Sequence, residues 1–79
     1  MQMQLKILSP NSILLDKFVD FVVLKLETGD IGVLPGHAPI AGKIRRSQVK
    51  YTINYIENSM EVNEGYTFVM PNRVMVFTR

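Results

Sequence analysis

Cysteine and tryptophan are absent from this sequence of 79 residues, and histidine occurs once, as His37. Without cysteine there is no disulfide framework and no thiolate metal site. A zinc centre usually draws on several histidines or cysteines, so none is expected. No apolar run reaches the ~18 residues that a membrane-spanning helix needs. The opening MQMQLKILSP lacks the charged-then-apolar design of a secretory signal, and the chain is not expected to enter a membrane. No window sustains apolar residues at i, i+3, i+4 and i+7 between capping residues, so no helix of any length is expected. Low-complexity tracts and internal repeats are also missing, and 47% hydrophobic with 20% charged residues fits a folded domain, not a disordered tail.

Charge of one sign is scarce as well. The formal net charge is only +2, and the basic residues are scattered apart from KIRRSQVK, Lys43 to Lys50. That cluster hints weakly at an anionic partner. A solvated strand edge, where lysine and arginine discourage edge pairing, explains it more simply.

What is present is a period of two. Met3, Leu5 and Ile7 alternate with Gln4 and Lys6, and Val49, Tyr51, Ile53 and Tyr55 alternate with Lys50, Thr52, Asn54 and Ile56. This is the pattern of half-buried strands. FVDFVVLKL (Phe18 to Leu26) and RVMVFTR at the end are rich in branched and aromatic residues, and each reads as a strand. Turn chemistry separates these runs at Ser9–Ser12, Glu27–Asp30, Glu57–Ser59, Asn63–Gly65 and Pro71–Asn72. The expectation is one all-β domain over 1–79, a small β-sandwich or flattened barrel of about eight to ten short strands in two sheets.

One stretch concentrates residues with special backbones. TGDIGVLPGHAPI, Thr28 to Ile40, holds three of the five glycines, two of the four prolines and His37. Gly29 suits a tight turn between strands, because glycine reaches positive φ without steric penalty. Gly32 lies in a short strand where something approaches closely. Pro35 and Pro39 force their preceding residues into extended conformations, and Gly36 turns between them, which predicts a stiff exposed corner with His37 near its tip. The glycines do not form a phosphate loop, since no GK[ST] ends them and no helix follows. Ser9, Asp30 and His37 have the residue types of a catalytic triad, but no serine lies in an elbow motif and a lone histidine needs no catalytic reason.

From Gly29 to Ile40, GDIGVLPGHAPI closely resembles the signature of the epsilon subunit of F-type ATP synthases, in its amino-terminal β-sandwich domain. LKILSP resembles that family's opening strand, FVDFVVL its second long strand, and NEGYTFVMPNRVMVFT its closing segment. The resemblance covers essentially the whole chain. It departs at Lys17, where the family usually has glycine, at Arg46 and Ser47, where it has Pro-Gly, and at Asn63 and Glu64.

The resemblance implies a rotor subunit that links the gamma shaft to the ring of c subunits, without catalysis or cofactor of its own. Its expected location is peripheral, on the cytoplasmic face of a bacterial membrane or the equivalent side in an organelle. Carried over by position, Glu27, Thr28, Gly29 and Asp30 match the contact with the polar loops of the ring, with the Asp30 carboxylate projecting from one end of the sandwich and Asn58 at the other. Ser9, His37, Ala38, Pro39, Gly42, Lys43, Ile44 and Arg45 match the side facing gamma. Family members usually continue into a helical hairpin that brakes ATP hydrolysis, and that activity is not expected of these 79 residues. The alternative is a small basic nucleic-acid-binding barrel, suggested by size, charge, and Tyr51 and Tyr55 at strand spacing. Its weakness is that only 9% of residues are aromatic and that both tyrosines share a face with Val49 and Ile53 that reads as core.

Overall fold

Alternation is realised directly in β1 (Met3–Leu8), which buries Met3, Leu5 and Ile7 and turns Gln4, Lys6 and Leu8 the other way. The computed structural model describes all 79 residues and contains nine strands and no helix. The others are β2 (Ile13–Val19), β3 (Phe21–Leu26), β4 (Gly29–Val33), β5 (Ile40–Ile44), β6 (Ser47–Ile53), β7 (Ile56–Val62), β8 (Gly65–Met70) and β9 (Arg73–Thr78). They form one hydrogen-bonded path, β2-β1-β9-β8-β5-β3-β6-β7, with β4 added to the free side of β3. The path curls so far that β2 touches β6. Two layers result, β2-β1-β9-β8-β5 and β4-β3-β6-β7, and their inner faces merge into one core of 16 residues. The two expected sheets are therefore layers of one continuous ladder.

Two corners carry the chain between layers. At the first, Val19 and Val22 are both buried, three residues apart, so the inward parity shifts at Asp20. The run Phe18 to Leu26, expected as one strand, is thus broken into β2 and β3. The Asp20 amide donates to the Thr52 carbonyl at 2.8 Å, and the Asn54 amide donates to the Asp20 carboxylate at 2.8 Å. At the second corner β5 passes into β6 through Arg45 and Arg46. Both strands lie against β3, Ile44 opposite Leu26 and Tyr51 opposite Val22, and the Arg45 amide reaches the Lys25 carbonyl at 2.9 Å.

The first and last strands are neighbours. β1 pairs β9 in parallel, the one parallel pairing in the molecule, and sets Leu5 and Ile7 beside Val74 and Val76 at the centre of the core. Thr67 also faces inward, and its hydroxyl donates to the Met75 carbonyl at 2.9 Å. No buried side-chain nitrogen or oxygen lacks a partner, which removes the largest common desolvation cost of a small core.

The β6–β7 turn falls at Asn54 and Tyr55, not at the expected Glu57–Ser59. Both turn residues have positive φ, 50° and 68°, as a two-residue hairpin loop matching the strand twist requires. Glu57, Asn58 and Ser59 are polar because β7 is an exposed edge strand, and Asn58 sits in its middle opposite Tyr51, not at an end of the domain. Tyr55 is consequently fully exposed and outside the core, whereas Tyr51 is buried. Left-handed backbone is unfavourable for a bulky residue, and Tyr55 packs nothing in return. Tyr55→Gly is expected to stabilise the domain by about 0.5–1 kcal/mol, the relief of strain exceeding glycine's added chain entropy. Calorimetry checks this as a rise of several degrees in Tm.

Candidate functional site

The β3–β4 connection is a tight hairpin. Leu26 pairs with Gly29, so Glu27 and Thr28 are its tip. Gly29 has φ of 137°, where a Cβ would be strained even though the space around it is open. The Glu27 amide donates to the Lys43 carbonyl at 3.0 Å, holding the tip beside the second corner.

Asp30 does not project from the end of the domain. It is one pair in from the tip, opposite Lys25, on the outer face of the β4-β3-β6-β7 layer. Lys25 Nζ lies 3.3 Å from its Oδ2, and Arg45 Nη2 donates to its Oδ1 at 3.1 Å. The hairpin is thereby pinned to the corner by side chains as well as by backbone. All three groups are substantially exposed, so each ion pair contributes little stability, on the order of 0.2–1 kcal/mol.

The corner from Pro35 to Pro39 forms as expected, with Gly36 at φ of 91°. The Gly36 amide donates to the Pro71 carbonyl at 2.7 Å and the His37 amide to the Leu34 carbonyl at 3.1 Å. His37 is half-buried, its Nδ1 2.7 Å from the Ala38 carbonyl, while Ala38 and Pro39 are exposed. Ser9, bonded to Ser12, lies at the opposite end of the β2-β1-β9-β8-β5 layer from this corner. Ser9, Asp30 and His37 are thus held apart, each on other partners.

The eight residues matched to a gamma-facing side do not act alike. Lys43 points outward from the β2-β1-β9-β8-β5 layer, Ser9 lies at one margin of that layer, and His37, Ala38 and Pro39 lie at the other. Gly42 turns inward opposite the buried Thr67, and Ile44 is only 2% exposed, so neither offers a side chain to a partner. Their parity on β5 places them in the core. Arg45 has passed the corner and belongs to the Asp30 cluster.

Sequence reasoning missed the outer face of the same layer. Strand register sets three rows across it: Phe18, Gln4, Arg73, Met70; then Asp16, Lys6, Met75, Phe68, Ala41; then Ile13, Leu8, Phe77, Tyr66, Lys43. Ile13, Phe18, Tyr66, Phe68, Met70 and Phe77 are all exposed there. Phe68 and Phe77 meet edge to face, with centroids 5.9 Å apart. The outer face of the other layer carries Phe21 and Val23, both half-buried, among Lys25, Asp30, Lys50, Glu57 and Glu61. These exposed apolar groups share the face with Gln4, Lys6, Asp16, Lys43 and Arg73, and exposed apolar clusters of sufficient size are where partners dock. The missed signal was the GYTFVM and RVMVFT runs, apolar at both parities, as in strands covered on both faces.

The domain is thus all-β in two layers, with exposed apolar side chains gathered on one outer face and a charged hairpin pinned to the second corner. The chain belongs to the ATP synthase delta/epsilon chain β-sandwich domain family, whose model matches residues 2–79. It is 33% identical over 72 residues to the ATP synthase epsilon chain of Desulfitobacterium hafniense, covering 91% of this chain and 54% of that one. Against the chloroplastic epsilon chain of Nicotiana tabacum the identity is 33% over 76 residues, covering 96% and 57%. The chain therefore spans about half the length of the curated relatives it matches. The fold is also that of a chain in the cryo-EM structure of the Euglena gracilis mitochondrial ATP synthase (OSCP/F1/c-ring), with a TM-score of 0.89, 18% identity and coverage of 98% of this chain and 50% of that chain.

Proposed function

We propose that this domain is a non-catalytic rotor element of an F-type ATP synthase, coupling the gamma shaft to the c ring. The observation that carries this reading is the cluster of exposed apolar side chains on the outer face of the β2-β1-β9-β8-β5 layer; we assign that face to gamma and the Glu27–Thr28 tip to the polar loops of the ring. The mechanism is mechanical. Torque passes through a subunit that resists shear, and two layers closed on one densely packed core deform less than loops or lone helices. Family membership supports the assembly, and the apolar face supplies the kind of surface a lasting partner covers. The domain works peripherally, on the cytoplasmic side of a bacterial membrane or the equivalent side in an organelle.

The test is co-purification with gamma of the same organism, set against single-stranded oligonucleotides at moderate salt. Retention of gamma and no oligonucleotide binding is the expected result. Tight, salt-sensitive oligonucleotide binding would instead favour the barrel reading, which has already lost buried Tyr51 as a stacking platform.

A further inference from the structure

We propose that the free edge of β2 is a strand-pairing surface for a second copy of this chain, and that Lys17 keeps it closed. β2 is bonded to β1 on one side, and no strand is bonded to its other side. Its sequence ILLDKFV is long for an edge and mostly apolar, with Ile13, Leu14 and Phe18 exposed. Such an edge is a template for pairing with another chain. Lys17 breaks the pattern. Its register, opposite the fully buried Leu5 and between the buried Leu15 and Val19, gives it the inward parity of the core. It is nevertheless exposed and takes part in none of the three ion pairs. A charge of inward parity on an edge strand is one of the devices that stop sheets from joining edge to edge.

When β2 meets its own copy antiparallel about a twofold axis, inward residues oppose inward ones and outward residues oppose outward ones. Asp16 faces outward and Lys17 inward, so no such register lets one neutralise the other. Pairing about Lys17 opposes two ammonium groups. Pairing about Asp16 opposes two carboxylates and leaves each Lys17 against the apolar Leu15 of the copy, while pairing about Leu15 runs into the irregular step between Ile13 and Leu15. The other long edge, β7, is guarded differently, since pairing about Ser59 opposes Glu57 to Glu61 twice. Lys17 acts in the free chain, before any assembly, and independently of the rotor reading.

Sedimentation equilibrium of the 79-residue chain tests this. The unaltered chain is expected to stay monomeric, and Lys17→Val to dimerise at least roughly 100-fold more tightly, because like charges no longer face each other across the pair. Lys17→Arg and Lys17→Glu, each keeping a charge, are expected to stay monomeric. Lys17→Thr removes the charge with less added apolar surface, and it is expected to dimerise in solution even where Lys17→Val precipitates. Hydrogen exchange locates the contact: the β2 amides that point away from β1 are expected to be protected in the dimer and to exchange freely in the monomer. Adding Phe68→Asp to Lys17→Val is expected to leave the dimer intact, since the edge and not the outer apolar face is joined. Monomeric Lys17→Val and Lys17→Thr, a dimer dissolved by Phe68→Asp, or equal association of Lys17→Glu would overturn the proposal. Circular dichroism on each variant separates these outcomes from unfolding.

Discussion

Phe68→Asp is expected to release the domain from gamma while leaving it folded. Phe68 lies in the middle row of the apolar outer face, between Met75 and Ala41, and is 46% exposed. Its ring already packs edge to face on Phe77, so it is presented to a partner in a fixed orientation at little further entropic cost. Aromatic residues near the centre of an interface dominate binding, and losing one costs about 2–4 kcal/mol, roughly 30- to 1,000-fold in Kd. A buried unpaired carboxylate adds to that loss. Stability of the isolated domain is expected to change by at most about 1 kcal/mol, since the new charge stays in water. Calorimetric titration against gamma, beside thermal melts of the free domain, reads both quantities. Binding unchanged by Phe68→Asp would mean that the shaft docks elsewhere.

Gly65→Ala is expected to be the most damaging glycine-to-alanine change in the chain. Gly65 begins β8, flanked by Ile44 on one side and Thr78 on the other. A Cβ built there falls 1.8 Å from the Phe77 carbonyl oxygen, which is backbone inside the β8–β9 ladder. Rotation of a side chain cannot relieve that contact. The strand must move, and the buried Ile44 and Thr78 move with it. Overpacking of this kind costs typically 1–3 kcal/mol and here is expected at the upper end or beyond, about 3 kcal/mol or more. A small domain has little reserve to absorb such a loss. Urea titration should show a midpoint shift at constant m-value, and an undiminished midpoint would mean that the ladder relaxes around the methyl group.

The amino-acid sequence by itself determined the class of the fold, the absence of helices, and the stiff corner at Pro35–Pro39. These follow from period-two alternation and from the φ restrictions of proline and glycine, which act within a few residues of one another. The family signature from Gly29 to Ile40 was legible for the same reason, being contiguous. Only the tertiary structure decided which strands meet. Nothing local sets β1 beside β9, turns the chain between layers at Asp20 and at Arg45, or moves the β6–β7 turn to Asn54 and Tyr55 with the polar Glu57–Ser59 left on a solvated edge. The candidate sites divide in the same way. The Glu27–Thr28 tip could be read from the turn glycine, but Asp30 acquired Lys25 and Arg45 only when the hairpin was laid against the corner. Ile44 and Gly42 face inward because a strand's inward parity depends on the layer opposite. The apolar outer face is assembled from five strands whose outward residues span Gln4 to Phe77, and side chains that distant in sequence become one surface only through register.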